Sequence, residues 1–276
     1  MRRRAPSTDP LVRGPRPTPR NLTRLDRVEQ TRGRFTGPPL TPRTAVIWSV
    51  LRAELERRGG IELTVLDVGG GTGGFAVPLA QAGHRVTVVD ASPDALAALT
   101  RRAAEAGVAD RVRAVQGDGD ALAGLVEPAG VDLVLCHAVL EVVDDPVSVV
   151  TALATALRPG GAASVLVAGR AAAVLARAMN GHLDVADTLA TDPAGTAGAR
   201  DTLRRRYDVD GASALLRAAG LVVEEIHGVR VLADLLPAAV ADGQPGALVE
   251  LERALAGRPP YRDLAAQLHL FARRPA

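Results

Sequence analysis

Val65-Leu66-Asp67-Val68-Gly69-Gly70-Gly71-Thr72-Gly73-Gly74 decides the fold. An apolar strand signal breaks into a run of glycines, and a helical pattern from Gly73 to Ala82 follows. Asp90 closes the next apolar run, Arg85 to Val89. A strand that opens through a glycine turn into a helix brings backbone N–H groups close to a ligand, and a carboxylate about 20 residues on is placed to grip a ribose. The pattern predicts a nucleoside-bearing cofactor at the carboxyl edge of a sheet.

The alternation continues on both sides of that loop. Before it, Thr44 to Glu56 has helical spacing and carries the one tryptophan, Trp48. Leu63 to Val68 reads as the first strand, Arg85 to Val89 as the second, Arg111 to Val115 as the third, Val131 to Cys136 as the fourth and Ala162 to Val167 as the fifth. Helices are expected over Pro93 to Ala106 and Pro146 to Leu157, the latter ending at the turn Arg158-Pro159-Gly160-Gly161. Such alternation predicts an α/β fold with a doubly wound, mostly parallel sheet. From Ala168 to Arg206 the pattern loosens, with a mobile loop expected at Asp192-Pro193-Ala194-Gly195. A helix near Val209 to Ala219 and strands at Leu221 to Ile226 and Gln267 to Ala272 complete the reading.

Gly69, Gly71 and Gly74 also satisfy the dinucleotide pattern G-x-G-x-x-G, so the cofactor must be decided by other residues. Asp67, last before the loop, is awkward beside a pyrophosphate but suits the ammonium of an amino-acid tail. The acidic patch Asp118 to Asp120 follows the third strand, where it can accept a hydrogen bond from an adenine amino group. Asp67, the glycines, Asp90 and Asp118 together resemble the cofactor site of the class I S-adenosylmethionine (SAM) methyltransferases rather than a nicotinamide site.

Composition limits the rest. The 276 residues are 47% apolar, enough for one core-forming α/β domain with appendages. All 33 basic residues are arginine. Residues 1–43 hold 11 of them against Asp9, Asp26 and Glu29, net +8, whereas the rest of the chain holds 22 against 28 acids, net −6. Residues 1–34 therefore read as a Pro/Arg-rich basic arm, expected to be disordered, on an acidic domain spanning 35–276. A single cysteine, Cys136, excludes an internal disulfide, and no metal-ligand spacing is present. The Arg2-Arg3-Arg4 start lacks an export signal's apolar stretch, and no run reaches the 18 apolar residues of a membrane span. The expectation is a soluble cytoplasmic protein.

Within the methyltransferases the chain resembles the tRNA 5-carboxymethoxyuridine methyltransferases, which form a methyl ester on a modified wobble uridine. The resemblance runs from Phe35 to the C-terminus. It rests on Arg43-Thr44-Ala45-Val46-Ile47-Trp48, Leu66 to Gly73, Cys136-His137-Ala138-Val139-Leu140-Glu141, Asn180-Gly181-His182-Leu183-Asp184, Gly228-Val229-Arg230-Val231, Leu248-Val249-Glu250-Leu251-Glu252 and Pro260-Tyr261. It implies SAM as cofactor, with Arg43 on the methionine carboxylate and Gly69, Gly70, Gly71 and Gly73 as the cradle. Asp90 would take the ribose, Gly119 and Asp120 the adenine side, and His137 would neighbour the sulfonium. Segment 168–206 would cover the substrate. A Lys-rich run carried there by related enzymes is missing; Thr188 to Arg200 is followed instead by Arg204-Arg205-Arg206. The basic arm and this cluster are the candidate tRNA contacts.

Several residues have plainer readings. His137 is a packed polar side chain or a site residue, and a base only if the acceptor is a hydroxyl. Its neighbour Cys136 points to the opposite face and belongs to the core. Glu141 faces the pocket or caps the next helix. Arg204 to Arg206 reads as a solvated helix start or a nucleic-acid contact. His182, His227 and His269 are too far apart in sequence to suggest a metal site. Arg230 interrupts an apolar strand and needs a partner; it is the candidate to orient an acceptor carboxylate. A small-molecule O- or N-methyltransferase is the second reading, a non-catalytic SAM-binding protein the third.

Overall fold

The computed structural model describes residues 41–276 except 119–121, 123, 126 and 200. The basic arm at 1–34, Gly119 and Asp120 lie outside the described residues. Seven strands, β1 (Thr64–Val68), β2 (Arg85–Asp90), β3 (Val112–Gln116), β4 (Val131–His137), β5 (Leu157–Ala168), β6 (Val222–Val229) and β7 (Gln267–Arg273), form one sheet in the order β3-β2-β1-β4-β5-β7-β6. All pairs are parallel except those of β7, which runs antiparallel to both β5 and β6. The strand order reverses direction between β1 and β4, so a crevice opens at their carboxyl ends.

Helices cover both faces. On one lie α1 (Ala45–Arg57) and the short α2 (Ala76–Gln81). The opposite face packs α4 (Pro146–Ala156) and α7 (Val209–Ala218) on a core that includes Val68, Val134, Cys136, Val165 and Leu270. Burial on both sides explains why β1 and β4 read as continuous apolar runs rather than alternating ones. α3 (Pro93–Glu105) follows β2 and is capped by Ser92, whose oxygen accepts from the Ala95 N–H at 3.2 Å.

Three expectations need correction. The helix after the glycine loop begins at Ala76 rather than Gly73, because positive φ at Gly71 and Gly73 keeps the chain turning. Arg158 to Gly161 lies inside β5, where a register shift against β4 absorbs it. Segment 168–206, read as loose, contains α5 (Arg170–Met179) and α6 (Leu183–Thr191). The loop at Asp192 to Gly195 that follows α6 is pinned rather than loose, since Arg170 donates to Pro193 O at 2.6 Å and Arg206 to Gly195 O at 3.0 Å. Further on, α8 (Ala238–Gly243) and α9 (Pro245–Ala256) join β6 to β7.

α1 is tied to the sheet by charge. Glu54, 4% exposed, accepts from Arg57, Arg58 and, across 219 residues, from Arg273 at 3.1 and 3.2 Å. Burial alone would raise its carboxyl pKa, but the guanidinium hydrogen bonds outweigh it and hold the group at about 2. Among the described residues no helix is long and apolar enough to cross a membrane.

Candidate functional site

The loop after β1 is shaped by what lies beneath it. A Cβ on Gly69 would overlap Val139 Cγ2, and φ is +69° there. A Cβ on Gly70 would stand 2.5 Å from Asp67 Oδ2 and 2.9 Å from Val88 Cγ1. Both positions thus require glycine, and the backbone runs directly over the Asp67 carboxyl. Gly73 is different. Its Cβ would overlap Leu99 Cδ1, so this glycine also seats the loop on α3.

Asp67 is 2% exposed, and its Oδ2 has no partner among the described residues. Burial, reinforced by the like charge of Asp90, pushes its pKa up to about 7. Asp90 ends β2. Its Oδ2 accepts the Gly71 N–H at 2.8 Å and its Oδ1 the Ser92 N–H at 2.9 Å, which fixes the carboxylate and leaves lone pairs for two vicinal hydroxyls. The Gly117 N–H donates to Asp90 O, and the exposed Asp118 follows just after β3. Asp67, the glycines, Asp90 and Asp118 therefore share the carboxyl edge at β1, β2 and β3.

These residues fit SAM. An orphaned buried carboxylate wants a cation, which the amino-acid ammonium supplies, and the fixed Asp90 suits a ribose. Arg43 stands exposed two residues before α1. Its helix reaches the site through Trp48, which stacks on Phe75 at 5.2 Å, and Phe75 meets His137 edge-on at 4.8 Å.

His137 is the last residue of β4, one place later in the strand than the sequence suggested. Its Nε2 lies 2.9 Å from Ser164 Oγ, and Ser164 Oγ lies 2.8 Å from His269 Nε2. Burial pushes the His137 pKa down to about 4, only partly offset by Ser164. His269 is likewise lowered, by burial first and then by His137 and His227. Sequence reasoning set His227 and His269 aside; the sheet register brings both to the row that starts at His137. Cys136 is fully buried on the other face, as expected, and burial drives its thiol pKa upward.

Glu141 does not cap the next helix. Asp145 does, accepting from Val147 and Ser148 at 3.0 and 3.1 Å. Glu141 is 3% exposed, its pKa raised by burial, with Oε2 lacking a partner among the described residues. It lies where segment 168–206 returns to the sheet. There the Tyr207 N–H donates to Ala168 O and the Arg204 N–H to Glu141 O.

The Arg204 to Arg206 cluster is neither a helix start nor an open basic patch. Arg205 donates to Leu140 O, Val143 O and Asp144 O. Arg206 pairs with Asp201 and Arg204 with Asp144. Only Arg204 and its partner are well exposed, at 58% and 71%, so two of the three guanidiniums serve the fold rather than a polyanion.

Arg230 sits just past β6 with φ +59°, uncommon for a side chain of that size. The turn is held by Glu252 of α9, fully buried, which accepts from Val231, Leu232 and Ala233 at 2.7, 2.9 and 2.8 Å. Arg230 therefore lies in a turn and not within a strand as expected, and it pairs through Nε and Nη2 with Asp234. It lies on the same sheet edge as His137 but beyond β5 and β7, so the structure does not bring it next to the cofactor loop.

Residues 65–161 match a family described as "Methyltransferase domain". Over 237 residues, 84% of this chain and 88% of the relative, the sequence is 33% identical to the tRNA 5-carboxymethoxyuridine methyltransferase of Escherichia coli (strain K12). It is 35% identical over 166 residues to the ubiquinone biosynthesis O-methyltransferase of Xylella fastidiosa (strain 9a5c), covering 60% of this chain and 63% of that one. Among solved structures, an S-adenosylmethionine-dependent methyltransferase from Mesorhizobium loti shares the fold with a TM-score of 0.57 at 22% identity, covering 82% of this chain and 97% of that chain.

Proposed function

On the premise that this chain belongs to the class I SAM-dependent methyltransferases, in the family of the tRNA 5-carboxymethoxyuridine methyltransferases, we propose that it converts the carboxylate of a modified tRNA wobble uridine into a methyl ester. One observation carries this choice of acceptor. The likeness to the tRNA enzyme extends over 84% of the chain and so includes the segments after β5, whereas the likeness to the ubiquinone O-methyltransferase covers 60%.

SAM supplies an electrophilic methyl group on a sulfonium. The chain's residues bind and align. Asp67 takes the ammonium, Arg43 the methionine carboxylate, Asp90 the ribose hydroxyls, and the Gly69-Gly70 backbone fits closely against the tail. Asp118, Gly119 and Asp120 are assigned to the adenine side. An acceptor carboxylate is ionised at neutral pH, so alignment is the main task and no proton need be removed. Arg230, its Nε and Nη2 already committed to Asp234, is the candidate to orient the acceptor from the far end of the same sheet edge, beyond β5 and β7, and Glu252 holds that turn in place. Segment 168–206 closes over the acceptor.

A hydroxyl acceptor would ask His137 to act as base. A buried imidazole with its pKa near 4 is a weak one, which favours the carboxylate. The test is complementation. Expressed in a bacterium that makes 5-carboxymethoxyuridine but lacks its own methylating enzyme, the gene should restore the methyl ester in digested tRNA. Unmodified 5-carboxymethoxyuridine alongside abundant, folded protein would refute the assignment.

A further inference from the structure

Four side chains form one row across the sheet. The register pairs His137 with Leu166, Leu166 with His269, and His269 with His227. Ser164, two residues before Leu166, shares that face and bridges His137 Nε2 and His269 Nε2 at 2.9 and 2.8 Å. Ser164 and His269 are both fully buried. A hydroxyl has one hydrogen to give. Among the described residues Ser164 Oγ has no third partner, so it donates to one imidazole and accepts from the other. The two histidines must therefore hold opposite tautomers.

The direction follows from what surrounds the outer nitrogens. His269 Nδ1 is buried without a partner, and the His227 ring beside it is stacked at 5.9 Å rather than aimed at it. A hydrogen on His269 Nδ1 would be a buried donor with no acceptor, which proteins avoid more strictly than a bare lone pair. The Ser164 backbone favours the protonated form of the His137 ring, but burial outweighs it, and that residue already pairs β5 with β4 and with β7. His137 Nδ1 is also buried and without a partner, but His137 ends β4 at the carboxyl edge that carries the cofactor residues and is itself only half-buried, whereas His269 is fully buried within β7.

We infer that Ser164 and His269 are positioning residues that place a hydrogen on His137 Nδ1, making His137 a neutral hydrogen-bond donor to the anionic acceptor oxygen and not a base. The inference rests on the carboxylate-acceptor reading. It gives the chain a means of preferring an acceptor that arrives ionised over one that must lose a proton, since the nitrogen facing the acceptor has no lone pair free.

The test has a spectroscopic and a kinetic arm. With imidazole nitrogens labelled in the intact protein, long-range ¹⁵N–¹H correlation should show His137 protonated at Nδ1 and His269 at Nε2; the reverse pattern, or the same tautomer at both, overturns the inference. This reading needs no substitution and no acceptor. In the kinetic arm, His137→Asn, whose amide N–H lies near the place of Nδ1–H, should keep kcat within about tenfold of the native protein, while His137→Ala loses roughly a hundredfold. Equal losses would count against a donor role. Ser164→Ala should lower kcat about tenfold at unchanged SAM affinity; an unchanged kcat would mean that the bridge is only structural. If 5-carboxymethoxyuridine is not methylated while the tautomers are as stated, the functional reading fails and the His137 assignment stands. If it is methylated and His137 carries its hydrogen on Nε2, only the inference fails.

Discussion

The Asp67 carboxyl lies directly beneath Gly70, so close that a methyl group there would stand 2.5 Å from Oδ2. The contact links the two halves of the glycine motif. Glycine is needed so that the loop can lie on the acid, and the acid is buried because the loop lies on it. Its orphaned Oδ2 and its pKa near 7 are consequences of the same packing.

SAM affinity should therefore depend on pH through Asp67. In the free protein the carboxyl keeps its proton up to about 7, and the cationic tail prefers the ionised form. Affinity should rise by up to about tenfold per pH unit between about pH 5.5 and 7 and then level off, while the cofactor's own amino group is still charged. Asp67→Asn should bind more weakly and without that slope. Calorimetry across this range checks it; a flat profile for the native protein would show that Asp67 does not meet the ammonium. Fold stability carries the opposite sign. Because the folded pKa is raised above 3.8, Asp67 costs stability as pH climbs from about 4 to 7, and Asp67→Asn should flatten that decline.

Glu54→Gln should destabilise the domain by about 3 kcal/mol at neutral pH, because a buried carboxylate that anchors Arg273, Arg58 and Arg57 is lost. Here the folded pKa lies below the unfolded 4.5, at about 2, so the native advantage is complete above pH 4.5 and fades as pH falls toward 2. Urea denaturation of both proteins at neutral and acid pH reads the gap. A gap that does not narrow in acid would assign the stabilisation to packing.

If tRNA is the substrate, a domain of net negative charge must meet a polyanion. Arg205 and Arg206 are occupied within the fold, so the attraction falls mainly to the basic arm. Deleting residues 1–34 should raise KM for tRNA and flatten its salt dependence while leaving SAM affinity unchanged. Equal salt slopes for the full and shortened proteins would remove the arm from substrate binding.

Local signals were legible in the sequence. The loop, Asp90 and the opposed faces of Cys136 and His137 follow from turn chemistry and from the two-residue period of a strand. What could not be read depends on register or on distant partners. His269 reaches His137 only because β7 runs antiparallel to β5, a pairing over more than a hundred residues that no local pattern announces. Glu252 looks like an ordinary helix acid until three N–H groups from the Arg230 turn are seen on it. α5 has helical apolar spacing with Arg170 and Arg177 on one face, yet it buries no residue fully and leaves Leu175 and Met179 exposed, a placement that depends on tertiary packing and not on the local pattern.

The central claim is tested most directly by methyl transfer in vitro. Purified full-length protein, labelled SAM and tRNA carrying 5-carboxymethoxyuridine should yield label in that nucleoside alone, and mild alkali should release it as methanol, as an ester requires. A catechol or other phenolic acceptor offered in the same assay should remain unlabelled. Label on the phenol with none on the tRNA would contradict the account.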